Sequence, residues 1–400
     1  MSSEDQRVLI AGAGPVGLVA AARLVRQGVP VTVLESGSQL SGESRASTFH
    51  PPTLDMLDEI GAARPLIAEG LVAPKLQYRS RREGIIAQFD FGDIADLTAH
   101  PYRLQAEQFK LTRILLDQLQ KLPEFKIEFD ATVEDVEQDQ HVVHARIRRG
   151  DVVETHTGQW LIGADGARSA VRNALNIEFE GFTWPERFLV VSTPFDYDSV
   201  FPDLVSVNYF ADPVCWHFLL RVGDVWRVMF PIPAEVSDDA ARMPEFAQAM
   251  LSRIVTSGER YEVSHTTLYR VHQRVAQTFR KGRAFLVGDA AHINNPLGGM
   301  GMNGGIHDSV NLTQRLASVW KGDAPEAELD RYDPQRRQVT VEYVQNQTIQ
   351  NKRDLEAADE TAQNEFRDRL RRTRDDSELR RAYLQRISMI ASLRRAAELG

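Results

Sequence analysis

Residues 7 to 35 constrain this chain more than any other stretch. The aliphatic run from Arg7 to Ala11 leads directly into Gly12-Ala13-Gly14-Pro15-Val16-Gly17. A helical pattern follows from Pro15 to about Gln27, Gly28 ends it, and a second aliphatic strand, Val31 to Leu34, stops at Glu35. Strand, glycine turn, helix and strand in that order make a βαβ unit. Gly12 permits the sharp turn, Gly14 lets a pyrophosphate approach the backbone, and Gly17 lets the helix lie close on the strand. Glu35, eighteen residues beyond Gly17, offers a carboxylate to both ribose hydroxyls of an adenosine. The unit predicts a bound dinucleotide and leaves open whether that is NAD or FAD.

A second stretch, Arg283 to Leu312, points the same way. A short apolar strand from Ala284 to Val287 ends at Gly288-Asp289, and a glycine-rich loop then runs through Pro296 before a helical pattern resumes. Glycine removes the Cβ that would hold main chain away from a flat ring. The unpaired N–H groups where the helix starts can stabilise partial negative charge. Asp289 adds an acceptor suited to a sugar hydroxyl. Between these two stretches, Trp160 to Ile162 read as a strand running into Gly163-Ala164-Asp165-Gly166 and a helix start near Ser169. Asp165 is therefore another acceptor at the carboxyl end of a strand, where doubly wound sheets bind ligands.

The rest of the chain is less specific. Arg45 could reach a diphosphate or be a solvated loop arginine. His50 precedes Pro51-Pro52 and matters only if its loop lies over a ligand; otherwise it is an ordinary surface histidine. Arg79-Ser80-Arg81-Arg82, with Glu83 behind it, reads as a solvated turn. Gln108 stands at the upstream end of a helix carrying Phe109, Leu111, Leu115 and Leu119. From Phe125 to Ile162 the period becomes two, which suggests an antiparallel meander that includes Lys126 to Phe129. Aromatic-rich strands occupy 182 to 269. In one of them Trp216, Phe218 and Leu220 fall on one side, and Cys215, His217, Leu219 and Arg221 on the other. Residues 330 to 400 mix Arg, Asp and Glu so densely that a solvated helix is favoured over an interface helix.

A formal net charge of −9 argues against nucleic acid as the main partner. The single cysteine, Cys215, allows no intrachain disulfide and no cysteine-rich metal site, in keeping with a cytoplasmic location. No metal is expected. The N-terminal apolar run is broken by glycines and too short for a bilayer span, so no membrane association is expected.

Taken together, Gly12-x-Gly14-x-x-Gly17 with Glu35, Gly163-x-Asp165-Gly166-x-x-Ser169-x-x-Arg172, and Gly288-Asp289-Ala290-Ala291-His292 through Pro296 and Gly301-x-Asn303 resemble the class A flavoprotein monooxygenases, the aromatic hydroxylase group that includes para-hydroxybenzoate hydroxylase. The resemblance covers roughly residues 7 to 345. It implies an α/β fold in which a FAD-binding Rossmann-like domain (residues 1–180 and 270–345) is interleaved with a mixed-sheet substrate domain (181–269, joined by part of 70–105), ahead of a helical C-terminus (346–400). FAD would then be the dinucleotide. By resemblance Glu35 holds its ribose, Arg45 and Gln108 contact it, and Asp289 holds the ribitol. Gly301, Met302 and Asn303 would line the pyrimidine edge of the ring system, with Pro296 near its reactive edge. Asp165 belongs to a motif tied to both FAD and reduced nicotinamide.

The resemblance also implies that NADH or NADPH and O2 serve as cosubstrates and that a small aromatic or heteroaromatic ring gains one oxygen atom while water is released. His50 and His217 are candidates for the base that activates such a ring, and Tyr209, His217 and Arg221 for contacts to it. No substrate motif of the family is recognisable in the middle of the chain, and the Trp-x-Trp-x-Ile-Pro signature of flavin halogenases is absent. A flavin oxidase or dehydrogenase without oxygen insertion and a non-catalytic flavin-binding scaffold both stay open. So does a homodimer.

Overall fold

A computed structural model of the protein describes residues 7–43, 46–212, 216–355 and 360–399. Strand Val8–Ala11 is buried along its whole length inside a six-stranded sheet. The order is Arg280–Lys281, Ala284–Leu286, Trp160–Gly163, Val8–Ala11, Val31–Leu34, Phe125–Glu128. All neighbours pair parallel except the first two. Parallel strands covered on both faces must be apolar throughout, which explains the continuous Val, Leu and Ile runs. Helix Pro15–Val25 begins with proline, whose missing N–H costs nothing at that position. It packs against the long helix Met300–Lys321, with Ser309 Oγ donating to the Val16 carbonyl at 2.9 Å. The chain crosses from Val8–Ala11 to opposite sides of the sheet. The carboxyl end of that strand is thus the switch point where open α/β sheets form a ligand crevice.

The alternating pattern at 126–129 suggests a meander, yet Phe125–Glu128 pairs parallel with Val31–Leu34. Helix Gln108–Leu119, just ahead of it, supplies the crossover that a parallel partner needs. The antiparallel meander consists of Thr132–Gln138, Val143–Arg149 and Val152–Gly158.

A mixed eight-stranded sheet forms the second layer, in the order His292–Ile293, His265–Ala276, Phe179–Thr193, Val225–Ile232, His217–Val222, Val207–Phe210, Lys75–Ser80, Gly84–Asp90. Its two faces bury different clusters. On one, Phe218 packs with Tyr78, Tyr209 and Phe188, and Leu297 of the glycine-rich loop joins them. On the other, Leu219 packs with Phe210, Trp226 and Phe230 beneath helix Pro244–Ser252. Arg79, expected in a solvated turn, instead lies buried in strand Lys75–Ser80. Its guanidinium donates to Gln77 Oε1 at 2.6 Å and to the Pro202 carbonyl at 2.9 Å. A small third sheet joins Thr48–Phe49 and Leu71–Ala73 through the central strand Arg103–Gln105.

The C-terminal helices are not simply solvated. Phe366, Leu370, Leu384, Ile387 and Ile390 are buried in the same cluster as Tyr209. Their outer arginines meet acids of the neighbouring strands and turn: Arg367 and Arg371 reach Glu83, Arg380 reaches Asp93 at 2.5 Å, and Arg381 reaches Asp96 at 2.5 Å. Such exposed pairs contribute at most about 1 kcal/mol each, whereas fully burying a large apolar side chain contributes about 1.5–3 kcal/mol. Packing therefore holds these helices. Among the described residues no helix is long and apolar enough to cross a membrane.

Candidate active site

The glycine turn after Val8–Ala11 is built by close approach. Gly12 has φ of +100°, and a Cβ there would lie 2.5 Å from the Ala164 carbonyl oxygen. A Cβ on Gly17 would lie 2.1 Å from the Gly12 carbonyl oxygen. Gly14 differs, because a Cβ there would meet no protein atom within 4 Å. Its bare backbone leaves room on the outer side of the turn. Glu35 is held beside that turn: Ala13 N–H donates to one carboxylate oxygen at 2.7 Å and Gly37 N–H to the other at 2.8 Å. Each oxygen retains capacity for a further donor.

The second and third motifs meet next to it. Asp165 accepts from Ser169 Oγ at 2.6 Å and from Val171 N–H at 3.1 Å, and burial raises its pKa above the ordinary aspartate value. Ser169 caps helix Ala170–Ala174 by accepting from Arg172 N–H. The Arg172 guanidinium stacks 3.9 Å from the Phe179 ring centre and donates to the Ala290 carbonyl at 2.9 Å. That bond ties the Asp165 turn to the Gly288–Ala290 turn, on which Asp289 is exposed.

Beneath this turn lies a buried ionic network that sequence reasoning missed. Asp308, fully buried, binds His292 Nε2 at 2.7 Å through one oxygen and accepts from Arg336 Nε at 2.7 Å through the other. Gly288 N–H donates to it at 3.1 Å. Burial alone would push the Asp308 pKa up, but His292 and Arg336 outweigh burial and bring it down to about 2.

The Pro296–Asn303 loop is tied to His50. Gly298 and Gly299, with φ of +103° and +67°, turn the chain into helix Met300–Lys321. Asn303 accepts from His50 N–H at 2.9 Å and donates to the Thr48 and Gly299 carbonyls at 2.9 and 2.7 Å. The His50 ring donates from Nε2 to the Gly298 carbonyl at 2.9 Å. A carbonyl only accepts, so Nδ1 is the unprotonated nitrogen, and it is buried without a protein partner. Burial, reinforced by the nearby Arg103 charge, keeps the His50 pKa well below the ordinary histidine value. His50 also occupies the cap position of helix Pro51–Asp58, and the Thr53 hydroxyl bonds His307 at 2.9 Å. Met302 and Pro296 are half-buried, and a Cβ on Gly301 would sit 3.3 Å from Asn294 Oδ1. Gln108 exchanges hydrogen bonds with the Ala46 backbone at 3.1 and 3.3 Å. Arg45, just before Ala46, lies outside the described residues, as does Cys215.

The aromatic face of the eight-stranded sheet closes this region. Tyr209 stacks on Tyr78 with centroids 5.1 Å apart, meets the Phe218 ring edge at 4.7 Å, and its hydroxyl accepts from Arg103 Nη1 at 3.1 Å. The Tyr383 hydroxyl donates to that of Tyr78 at 3.0 Å. His217 and Arg221 were grouped with Tyr209 from sequence, and here the structure differs. Successive strand residues point to opposite faces. The fully buried His217 ring stacks on Phe210 at 4.5 Å, in the cluster behind the sheet. Arg221 serves the hairpin end, donating to the Gly223 carbonyl at 3.1 Å and lying over Trp226 at 5.4 Å. Away from this region, Glu128, Glu154 and His156 bring ligand atoms within 4.8 Å of one another. Arg149 already bonds both carboxylates there, at 2.5 and 3.2 Å.

Residues 5–347 match the family described as FAD binding domain. The chain is 35% identical over 340 residues to para-nitrophenol 4-monooxygenase of Pseudomonas sp. (strain WBC-3), covering 84% of each protein. It belongs to the class A FAD-dependent aromatic hydroxylases. Over 359 residues it is 34% identical to 6-hydroxy-3-succinoylpyridine 3-monooxygenase of Pseudomonas putida (strain DSM 28022 / S16), covering 88% of this chain and 90% of that one. Among solved structures, p-nitrophenol 4-monooxygenase from Pseudomonas putida DLL-E4 superposes with a TM-score of 0.91 at 30% identity, over 97% of this chain and 98% of the other. A hydroxylase of this class carries FAD, and the residues present fit that group. The bare backbone at Gly14 and the oriented carboxylate of Glu35 stand together at the switch point.

Proposed function

We propose that the protein uses NADH or NADPH and O2 to hydroxylate a phenol or hydroxypyridine held between the Gly298–Gly299 turn and the aromatic face of the eight-stranded sheet. The observation that carries this reading is His50, whose neutral ring keeps an acceptor nitrogen buried against that turn. The two relatives described above are named for oxygen transfer to a nitrophenol and to a hydroxylated pyridine, which favours this ring class and a monooxygenase over an oxidase or a scaffold.

In this reading residues 1–180 and 270–345 bind FAD, residues 181–269 with part of 70–105 shape the substrate space, and 346–400 seal it. Bound FAD would supply the redox chemistry, by which O2, a hydride from the nicotinamide and one proton give a ring hydroxyl from one oxygen atom and water from the other. The Gly12–Gly17 turn faces the diphosphate with helix N–H groups, Glu35 accepts from the ribose, and Asp289 from the ribitol. Gln108 would contact FAD, and by resemblance so would Arg45. Gly301, Met302 and Asn303 would line the pyrimidine edge, with Pro296 near the reactive edge, and Asp165 braces the neighbouring turn. His50 Nδ1 is placed to accept a hydrogen bond from the substrate, since the tautomer set by Gly298 leaves that atom as an acceptor. Burial of the surrounding side chains excludes water from it.

Anaerobic mixing of the holoenzyme with NADH or NADPH tests the reading. Flavin reduction is expected to be slow alone and at least about tenfold faster with a suitable phenol or hydroxypyridine, a difference of about 1.4 kcal/mol in barrier. No acceleration across a broad panel of rings would overturn it. Glu35→Gln is expected to weaken FAD binding by about 1.5–3 kcal/mol, as for a hydrogen bond to a charged group, when apoprotein is titrated with FAD. Unchanged affinity would place Glu35 outside the site.

A further inference from the structure

If the hydroxylase reading above holds, one buried charge in the aromatic face still lacks an explanation in the fold. Arg103, on the central strand of the small sheet, is 2% exposed. Its guanidinium lies 5.5 Å from the Phe91 ring centre, donates to the Tyr209 hydroxyl at 3.1 Å and to the Ile387 carbonyl at a long 3.4 Å, and its Nε has no partner. No carboxylate of the described residues forms an ion pair with it. Arg336 and Arg187, also buried, have an acid to hand in Asp308 at 2.7 Å and in Asp238. Buried Arg79, without a paired acid among the described residues, is held instead by Gln77 Oε1 at 2.6 Å and the Pro202 carbonyl at 2.9 Å, whereas Arg103 has only the Tyr209 hydroxyl and one long contact there. A buried guanidinium without a counter-charge is strongly unfavourable unless something supplies one.

The protein groups that feel this charge do not supply it. His50 is kept neutral by burial and by Arg103 itself. Tyr78 and Tyr383 have their pKa values raised above the ordinary tyrosine value by burial, so both keep their protons at neutral pH. A negative charge brought by a ligand would satisfy the guanidinium, and the surrounding walls are flat rings.

We propose that Arg103 anchors the ionised oxygen of a phenol-type substrate, with the Tyr209 hydroxyl holding the guanidinium in place, so that the site selects the phenolate over the neutral phenol. The O–H electron pair stays on the ring oxygen beside Arg103, and the proton leaves to solvent before entry, because burial and Arg103 keep His50 neutral. Arg103 is thereby a substrate-binding residue that decides which protonation state is bound.

The test uses the FAD-loaded full chain and paired probes, 4-nitrophenol and its non-ionisable methyl ether, 4-nitroanisole, with dissociation constants read from the perturbation of flavin absorbance. Arg103→Met is expected to weaken 4-nitrophenol binding about ten- to a hundredfold, the range of one hydrogen bond to a charged group, while 4-nitroanisole changes less than about threefold on the same scale. The colour of the bound nitrophenol should also shift from the ionised toward the neutral form. Arg103→Lys should recover part of the affinity, and unchanged flavin content and melting temperature would establish that both variants fold. Equal losses for the two probes, or no loss for either, would overturn the assignment while leaving the hydroxylase reading intact. If neither 4-nitrophenol nor any hydroxybenzoate or hydroxypyridine binds the parent holoenzyme, the hydroxylase reading falls and this assignment falls with it.

Discussion

Asp308→Asn should destabilise the protein by about 3–5 kcal/mol, the usual consequence of removing one partner from a buried ion pair. The change is isosteric, so no cavity forms. What it removes is the only acid among the described residues that pairs with Arg336, whose other bond there is a long 3.4 Å contact to the Gly304 carbonyl. It also takes an acceptor from the Gly288 N–H, and so frees the turn that carries Asp289. Loss of FAD on gel filtration should accompany a lowered unfolding midpoint. The pH dependence has a definite sign. The Asp308 pKa is depressed from the ordinary aspartate value of 3.8 to about 2, so its contribution is complete above about pH 4 and disappears as pH falls toward 2. It amounts to on the order of 2 kcal/mol. Acid unfolding of the parent across that window should be steeper than that of the variant. A variant that melts with the parent and keeps its flavin would show that the network does not hold the turn.

Gly17→Ala is expected to abolish FAD retention, with affinity falling by about 4 kcal/mol or more, roughly a thousandfold. Its direction is informative because helix propensity alone predicts the opposite for stability. Alanine inside a helix is favoured over glycine by about 0.8–1.0 kcal/mol. The new methyl would lie 2.1 Å from the Gly12 carbonyl oxygen and 3.3 Å from Ala164 Cβ. Backbone must move to relieve the first contact, and that backbone is the glycine turn itself. Gly28→Ala, where a Cβ meets no atom within 4 Å but φ is +81°, is the matched control. It should cost only the strain of a left-handed residue, about 1–2 kcal/mol, and leave flavin binding unchanged. A Gly17→Ala protein that binds FAD like the parent would refute the close-packing explanation of the third glycine.

The βαβ unit was legible because strand, turn and helix are contiguous and each glycine answers a separate steric demand. The two later motifs were legible for the same reason. The Asp308 network was not. His292 lies sixteen residues before Asp308 and Arg336 lies twenty-eight after it, and polar residues in a helix ordinarily read as solvent-facing. Arg103 sits in a three-residue strand, too short for alternation to identify its buried face. The two sides of His217–Val222 could be separated by period two. Both sides are apolar, however, so nothing local distinguished the side carrying Tyr209 from the side carrying His217. The C-terminal helices misled through composition. Their apolar stripe, with Phe366 and Leu370 on one helix and Leu384 and Ile387 on another, is narrow and surrounded by arginines that pair with acids close in space but nearly three hundred residues away in sequence.

Oxygen insertion is the step on which the functional account stands, and labelled oxygen gas measures it directly. Holoenzyme, reduced nicotinamide and a ring that accelerates flavin reduction would be turned over under heavy-isotope O2, and the product examined by mass spectrometry. The account requires one labelled atom in the product per molecule formed, and a fall in that yield with a rise in hydrogen peroxide when His50 is replaced by Ala. Unlabelled product, or stoichiometric peroxide from the parent with no gain in product mass, would contradict it and make the protein an oxidase on a hydroxylase fold.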